Sequence, residues 1–128
     1  MSDDATVNVR ILVDDVAASV DFYTQHFGFT VLNSFPPFAD VKRGNLRLLL
    51  SGPKSSAARP MADGEQPRPG GWNRIHFIVD DLDAEIARLK KAGVPFRNEV
   101  VTGSGGSQVL ACDPSGNLIE LFQPAPAT

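Results

Sequence analysis

The chain has 128 residues, of which 42% are hydrophobic and 21% charged, as expected for one compact domain or for two fused half-size modules. A formal charge of −3 without a basic cluster gives no support to nucleic-acid binding, and no apolar run approaches the roughly 20 residues that span a membrane. Residues 1–4 are polar and acidic, unlike a signal peptide, and the single cysteine, Cys112, suits a reducing compartment. We therefore expect a cytoplasmic protein.

The first half of the chain predicts one strand, one helix and three further strands. Residues 7–13 alternate in hydrophobicity, which is typical of a strand with one apolar face. Asp14 or Asp15 can cap the following helix, and Gly28 fits its C-terminal end. The helix has an apolar stripe consisting of Val16, Val20, Tyr23 and Phe27. The three strands that follow are predicted at residues 29–32, 38–42 and 46–50.

The middle of the chain, residues 51–71, is rich in serine, glycine, proline and alanine and lacks hydrophobic periodicity. A loop of this length in a compact domain is usually mobile, or it covers a binding site. We expect this connector to join two modules and to be the most mobile internal segment.

The second half predicts the same order of elements. Residues 73–79 alternate like a strand, and Asp80 and Asp81 begin a helix that ends at Gly93. The inner stripe of this helix consists of Leu82, Ile86 and Leu89. Further strands are predicted at residues 94–101, 108–111 and 118–122. No helix follows the glycine-rich turn at residues 103–106, so this turn is interpreted as a flexible hairpin and not as a phosphate loop.

Two pairs of similar stretches indicate an internal duplication. They are residues 11–16 with 77–82, and residues 43–50 with 115–122. The sequence therefore predicts an α+β fold of two tandem βαβββ modules, residues 7–50 and 72–123, with the connector 51–71 between them.

A single charge lies within the last predicted strand. Alternation places Glu120 on the same strand face as Leu118 and Phe122, where a carboxylate either points into a pocket or is paired. The alternative is an edge-strand glutamate that faces water. Cys112, which follows an apolar run, is interpreted as a buried structural thiol and not as a nucleophile.

Several polar residues share the strand faces that the helices leave uncovered. They are Asn8, Arg10, Arg74, His76 and Glu120. Two curved mixed sheets placed side by side would turn these residues into a shared cavity, the usual form of a small-molecule site.

Three features together resemble the vicinal oxygen chelate superfamily. They are the duplicated βαβββ layout, Val-Asp-Asp-Leu at residues 79–82 before a helix ending Lys-Lys-Ala-Gly, and Asp-Pro-Ser-Gly-Asn-Leu-Ile-Glu-Leu at residues 113–121. This group includes glyoxalase I, extradiol dioxygenases, fosfomycin resistance enzymes and bleomycin-resistance proteins. The resemblance covers residues 7–123, and residues 38–48 are particularly similar to the bleomycin-resistance branch. It implies a homodimer with modules paired between chains.

The resemblance also implies where a metal would bind. Enzymes of this superfamily hold one divalent metal with residues of the first and last strand of each module. The positions carried over are Asn8, Leu48, Arg74 and Glu120, of which only Glu120 is a typical ligand. Leu48 has no donor atom, and the guanidinium of Arg74 repels a metal. His76 lies on the same face, so Glu120 and His76 are the two metal candidates, which is a poor site. No metal cofactor is expected.

Three functional hypotheses remain open. The first is a metal-free protein that sequesters or presents a small, partly aromatic ligand. Its candidate contacts are Asn8, Arg10, Phe35, Phe38, Leu48, Trp72, Arg74, His76 and Glu120. The second is an enzyme, either a metal-dependent lyase, dioxygenase or thiol transferase using Glu120 and His76, or a metal-free catalyst using them as acid and base. The third is a domain kept mainly for assembly. Under the metal-free hypothesis, we expect either an Arg74–Glu120 ion pair or an Arg74 free to accept an anionic ligand group.

Overall fold

A computed structural model describes residues 6–126 of the chain. Residues 1–4, interpreted above as unlike a signal peptide, lie outside this range. The chain divides between Gly70 and Gly71 into two compact units. Each unit contains one α-helix and one mixed four-stranded sheet, which confirms the predicted α+β fold of two modules. Within the described range, no helix is long and apolar enough to cross a membrane.

The first module has the predicted βαβββ order. Its elements are β1 (Val7–Leu12), α1 (Val16–Phe27), β2 (Thr30–Phe35), β3 (Phe38–Arg43) and β4 (Leu46–Ser51). The strands lie in the order β1-β4-β3-β2, and β1 is parallel to β4 while the other pairs are antiparallel. The helix follows β1 because parallel strands need a crossover connection.

Helix α1 is fixed at both ends by the residues that the sequence indicates. The side chain of Asp15 accepts a hydrogen bond from the backbone N–H of Ala18, which satisfies one of the free donors of the first turn. Gly28 ends the helix at a φ of 69°, a left-handed conformation that glycine adopts without strain. The buried stripe includes Val16, Tyr23 and Phe27 as predicted and gains Phe22, whereas Val20 is only half-buried.

The second module repeats the arrangement. Its elements are β5 (Arg74–Ile78), α2 (Leu82–Lys91), β6 (Val101–Gly103), β7 (Gly106–Cys112) and β8 (Leu118–Pro124). The strands lie in the order β5-β8-β7-β6, with β5 parallel to β8. Leu82 and Leu89 of α2 are buried as predicted, whereas Ile86 is only half-buried. The side chain of Asp81 caps the helix by accepting from the N–H of Ala84.

The two caps allow a direct comparison between modules. Asp15→Ala and Asp81→Ala are each expected to lower the free energy of unfolding by about 1 kcal/mol, because each removes one capping hydrogen bond. Urea denaturation followed by circular dichroism measures both. Asp80→Ala, next to the second cap, is the matched control. An equal loss in the control would show that removal of charge, and not of the cap, causes the effect.

The predicted strand at residues 94–101 is wrong in extent, since β6 covers only Val101–Gly103. The backbone N–H of Leu110 donates to the side-chain oxygen of Asn98, at 2.9 Å, and not to a backbone carbonyl. This side-chain bond replaces a ladder bond and interrupts the strand. A single bridge between Phe96 and Ala111 is what remains of the pairing upstream.

The connector has more local structure than its composition predicts. A short 3-10 helix spans Ser56–Ala58, and Ala58 is buried. The backbone N–H of Gly52 donates to the carbonyl of Pro37, which ties the start of the connector to the β2–β3 turn. The expected mobility of this segment stays a prediction that amide exchange can measure.

Candidate functional site

The sheet of the second module carries Ile119 and Leu121 on one face, and the opposite face, which we call the open face, carries charged residues of β5 and β8. Arg74 pairs with Leu118, and His76 pairs with Glu120, in the parallel register of β5 and β8. Residues that are directly paired point to the same side of a sheet. Arg74, His76 and Glu120 therefore share the open face, whereas Ile119 and the residues that alternate with it form the buried face.

At the centre of this open face lies Glu120, which is only 7% exposed. The Nε of Arg74 donates to its Oε1 at 3.0 Å, and the Nε2 of His76 lies 3.3 Å from its Oε2. Each carboxylate oxygen thus has a cationic or imidazole neighbour. Of the two arrangements expected for Arg74, the structure has the ion pair with Glu120, which offsets part of the cost of burying the carboxylate.

The surroundings of the pair are partly apolar. The rings of His76 and Phe122 lie with their centroids 4.9 Å apart. Leu118 is buried beside Glu120, and Leu110 pairs with Glu120 from β7 on its other side. An ion pair beside aromatic and aliphatic surface is a combination that small-molecule sites use for orientation and affinity.

The donor set on this face does not fit a divalent metal. Glu120 is the one carboxylate of the expected ligand set, and the permanently cationic Arg74 already contacts one of its oxygens. Nowhere in residues 6–126 do three or more histidine, cysteine, aspartate or glutamate side chains group in a way that could hold a metal ion. Glu120 and His76 alone make a poor site for a divalent metal.

In the first module, the strand register places Leu48 on a different face from the one expected. Asn8 pairs with Arg47, and Arg10 pairs with Leu49, so the open face of β4 carries Arg47 and Leu49. Leu48, expected to correspond to Glu120, lies instead on the buried face and is 0% exposed. By register, the position that corresponds to Glu120 is Leu49.

The open face of the first module contains an ion pair that was not predicted. The Nε of Arg47 donates to Oδ2 of Asp40 at 2.6 Å, and Asp40 is only 1% exposed. The other oxygen of Asp40 is buried without a hydrogen-bond partner in the described chain. The signal was available, since Asp40 stands between apolar Ala39 and Val41, just as Glu120 stands between Ile119 and Leu121.

Trp72 lies at the edge of a cavity of about 370 Å³ in the second module. Its side chain is 64% exposed, and the guanidinium carbon of Arg97 is 5.3 Å from the ring centroid, within cation–π range. Cys112 and Leu118 also line this cavity. Trp72 thus presents an exposed ring beside Arg97, a cation that the sequence did not single out.

The Cys112 thiol is half-buried, and this burial raises its pKa, although the nearby Arg97 guanidinium acts in the opposite direction. A raised pKa lowers the thiolate fraction at any pH below it, so Cys112 is expected to react more slowly than a free thiol. The rate of alkylation by iodoacetamide, followed from neutral to alkaline pH, should rise with a midpoint above that of glutathione. A midpoint at or below that of glutathione would contradict the structural interpretation of this thiol.

A family model described as the Glyoxalase/Bleomycin resistance protein/Dioxygenase superfamily matches residues 6–121. A glyoxalase I from Saccharomyces cerevisiae is 26% identical over 86% of this chain, and the chain spans 42% of the length of that relative.

Two solved structures cover almost the whole chain. A lactoylglutathione lyase from Agrobacterium tumefaciens is 27% identical, with a TM-score of 0.70 over 96% of each chain. TnmS3, an antibiotic binding protein from Streptomyces sp. CB03234, is also 27% identical, with a TM-score of 0.71 over 98% of this chain and 99% of that one. The similarity thus extends to a protein named as an enzyme and to a protein named for binding.

Proposed function

The chain belongs to the glyoxalase/bleomycin resistance protein/dioxygenase superfamily, and from this we propose that it is a small-molecule-binding protein that works without a divalent metal. The ion pair between Arg74 and Glu120 carries the proposal. The carboxylate that would be a metal ligand already has a guanidinium partner. A binding protein does not need the Lewis acid that a metal supplies, so this pair fits binding better than metal-dependent catalysis.

The proposed ligand is small and partly aromatic. Phe122 and the exposed Trp72 offer apolar contact, while Arg74 and His76 offer polar groups for orientation. The side chain of Arg74 is 31% exposed, so it can meet an anionic group of a ligand while it stays beside Glu120. The similarity to an antibiotic binding protein supports this ligand class.

A second candidate function is a metal-dependent enzyme of the same superfamily. It is favoured by the similarity to the yeast glyoxalase I and to the lactoylglutathione lyase. The residues available to it are Glu120 and His76, whose nearest atoms are 3.3 Å apart. The same two residues could act as acid and base without a metal.

Metal content separates the two candidates. Tag-free protein is purified from cells grown with added manganese, iron, nickel and zinc, and its metal is measured by mass spectrometry. Calorimetric titration with Mn²⁺, Ni²⁺ and Zn²⁺ then tests binding directly. We expect far less than one metal per chain and no saturable heat, because Glu120 and His76 supply only two donors and Arg74 places a fixed positive charge beside them.

Glu120→Gln is the control for this experiment, because it keeps the shape of the side chain and removes its charge. One metal per chain in the wild type, lost in Glu120→Gln, would overturn the metal-free proposal in favour of the enzyme. Metal that persists in Glu120→Gln binds elsewhere and does not support the enzyme.

The proposal includes a homodimer, as the family resemblance implies. Light scattering should then give twice the 13.7 kDa mass of one chain at micromolar concentration. A mass of one chain would remove the dimer from the proposal and leave its binding site in the second module unchanged.

A further inference from the structure

The first module has a cavity of about 300 Å³ with an unusual combination of lining residues. They include Arg10, Phe35, Phe38, Lys54, Ser55 and Ser56. Two cations and two aromatic rings face one small space, and no carboxylate lines it. The volume is at the lower end of the range for small-molecule pockets.

The positive charge of this cavity is not neutralised by the protein. Nη1 of Arg10 donates to the hydroxyl of Ser51 at 3.0 Å, which positions the guanidinium and leaves its charge uncompensated. In residues 6–126, no carboxylate forms an ion pair with Arg10 or Lys54, whereas Arg47 has Asp40 as its partner. Two like charges beside low-dielectric walls attract an anion.

The apolar wall of the cavity is aromatic. The rings of Phe35 and Phe38 have centroids 5.7 Å apart and are inclined by 47°, at the hairpin that joins β2 and β3. Phe35 is 52% exposed, although it is a large apolar side chain. An aromatic ligand ring that packs against this pair would bury this surface.

A larger recess of about 800 Å³ lies next to the cavity and shares Phe35, Pro37 and Lys54 with it. Asp14 and Asp15 line this recess. Their carboxylates disfavour an anionic group there, so a bound anion is directed toward Arg10. The recess leaves room for a neutral or cationic extension of the ligand.

We propose that this cavity binds an aromatic carboxylate, with the carboxylate between Arg10 and Lys54 and the ring against Phe35 and Phe38. The planar guanidinium suits a carboxylate, and Ser56, which also lines the cavity, has a hydroxyl that can donate a hydrogen bond. The inference rests on the proposed small-molecule binding and deepens it by naming the ligand class. It makes no use of the Arg74–Glu120 pair.

The test uses the full chain and three probes: benzoate, 4-hydroxybenzoate and 1-naphthoate. Calorimetry measures affinity, and amide chemical shifts from NMR locate the bound probe. We expect saturable binding of 1-naphthoate that shifts the amides of β1, the β2–β3 hairpin and residues 52–58. The neutral 1-naphthamide should bind at least about 10-fold more weakly, since a hydrogen bond to a charged group contributes about 1.4 kcal/mol or more. Added salt should weaken 1-naphthoate and leave 1-naphthamide unchanged.

Variants of the two cations test how much each contributes to the binding of the carboxylate. Arg10→Gln is expected to weaken 1-naphthoate about 10-fold, Lys54→Met about 3-fold, and Arg10→Lys less than Arg10→Gln. Lys91→Met removes an exposed cation from α2 and is the matched control, with no expected change. If Arg10→Gln fails to fold, the affinity of Lys54→Met for 1-naphthoate tests the inference, because Lys54 is exposed.

Several outcomes would overturn the inference. They are no saturable binding of any of the three probes, equal affinity for 1-naphthoate and 1-naphthamide, or shifts confined to residues 71–126. Binding of 1-naphthoate that neither Arg10→Gln nor Lys54→Met weakens would also overturn the inference. Stoichiometric metal at Glu120 would instead overturn the metal-free function and leave this cavity as assigned, so the two failures are distinguishable.

Discussion

Arg47→Met is expected to lower the free energy of unfolding by about 3 kcal/mol, because it leaves Asp40 charged, buried and unpaired. Asp40 is 1% exposed, and Arg47 at 2.6 Å is the partner of its Oδ2. Its Oδ1 has no hydrogen-bond partner in the described residues, so no second hydrogen bond compensates for the loss of Arg47. The value is at the low end for a buried pair, since the Arg47 side chain is 34% exposed. Water can therefore reach the Asp40 carboxylate when this side chain is shortened. Urea denaturation at constant m-value measures the change.

Arg88→Met is the matched control for this variant. Arg88 pairs with Glu85 at the same distance of 2.6 Å, but on the exposed surface of α2, and is expected to contribute less than about 0.5 kcal/mol. The double variant Arg47→Met, Asp40→Leu should recover much of the loss, because no charge is then stranded. Equal losses for Arg47→Met and Arg88→Met would contradict the role assigned to burial.

The helices and the order of elements could be predicted because local chemistry determines them. Asp15 and Asp81 cap their helices, and Gly28 ends α1, each through contacts within a few residues of chain. Alternation also placed Glu120 and Arg74 on uncovered strand faces, and the expectation that their side chains meet came from the family resemblance. Caps and strand faces depend on residue type and periodicity, which a single sequence contains.

The position of Leu48 could not be predicted, because the register of β4 against β1 is a tertiary property that the turn residues alone do not determine. Two residues separate β3 from β4, whereas five separate β7 from β8. Asp113 shapes the longer turn by accepting from the N–H groups of Ser115 and Asn117. Leu46 and Leu118 each lie two residues after the turn glycine, but Leu46 pairs with Val7, whereas Leu118 pairs with Arg74, the counterpart of Asn8. Aligning the glycines therefore places β4 one residue out of register with β1, and a shift of one residue exchanges the two faces of a strand.

The interrupted strand before β6 has a different cause. The side chain of Asn98 competes with the backbone for the N–H of Leu110, a tertiary contact across 12 residues. Hydrophobic alternation carries no information about this competition. The cavity at Arg10 likewise depends on where the connector places Lys54 and Ser56, and the connector has no periodicity to read.

Arg74→Met is expected to lower the free energy of unfolding by about 2 kcal/mol, less than Arg47→Met. Glu120 is nearly as buried as Asp40, but it keeps His76 at 3.3 Å when Arg74 is removed. The same variant should weaken a ligand that depends on the second module. His76→Phe, combined with Arg74→Met, should bring the loss above that of Arg47→Met, because Glu120 then has no partner. An additive, small effect of the two substitutions would contradict the view that both stabilise one carboxylate.

Arg74→His tests what the guanidinium does to metal binding. Its main expected effect is on the affinity for a divalent metal. It removes the fixed positive charge and adds a third donor beside Glu120 and His76, on the face where register places residue 74. Calorimetry with Ni²⁺ and Zn²⁺ should then detect binding that the wild type lacks. Arg74→Met is the control, because it removes the same charge without adding a donor, and it should remain unable to bind. If Arg74→Met binds metal as well as Arg74→His does, repulsion by the guanidinium alone keeps metal out. If neither variant binds metal, the second module cannot arrange even three donors around an ion. Small-molecule binding without a metal then stays the proposed function.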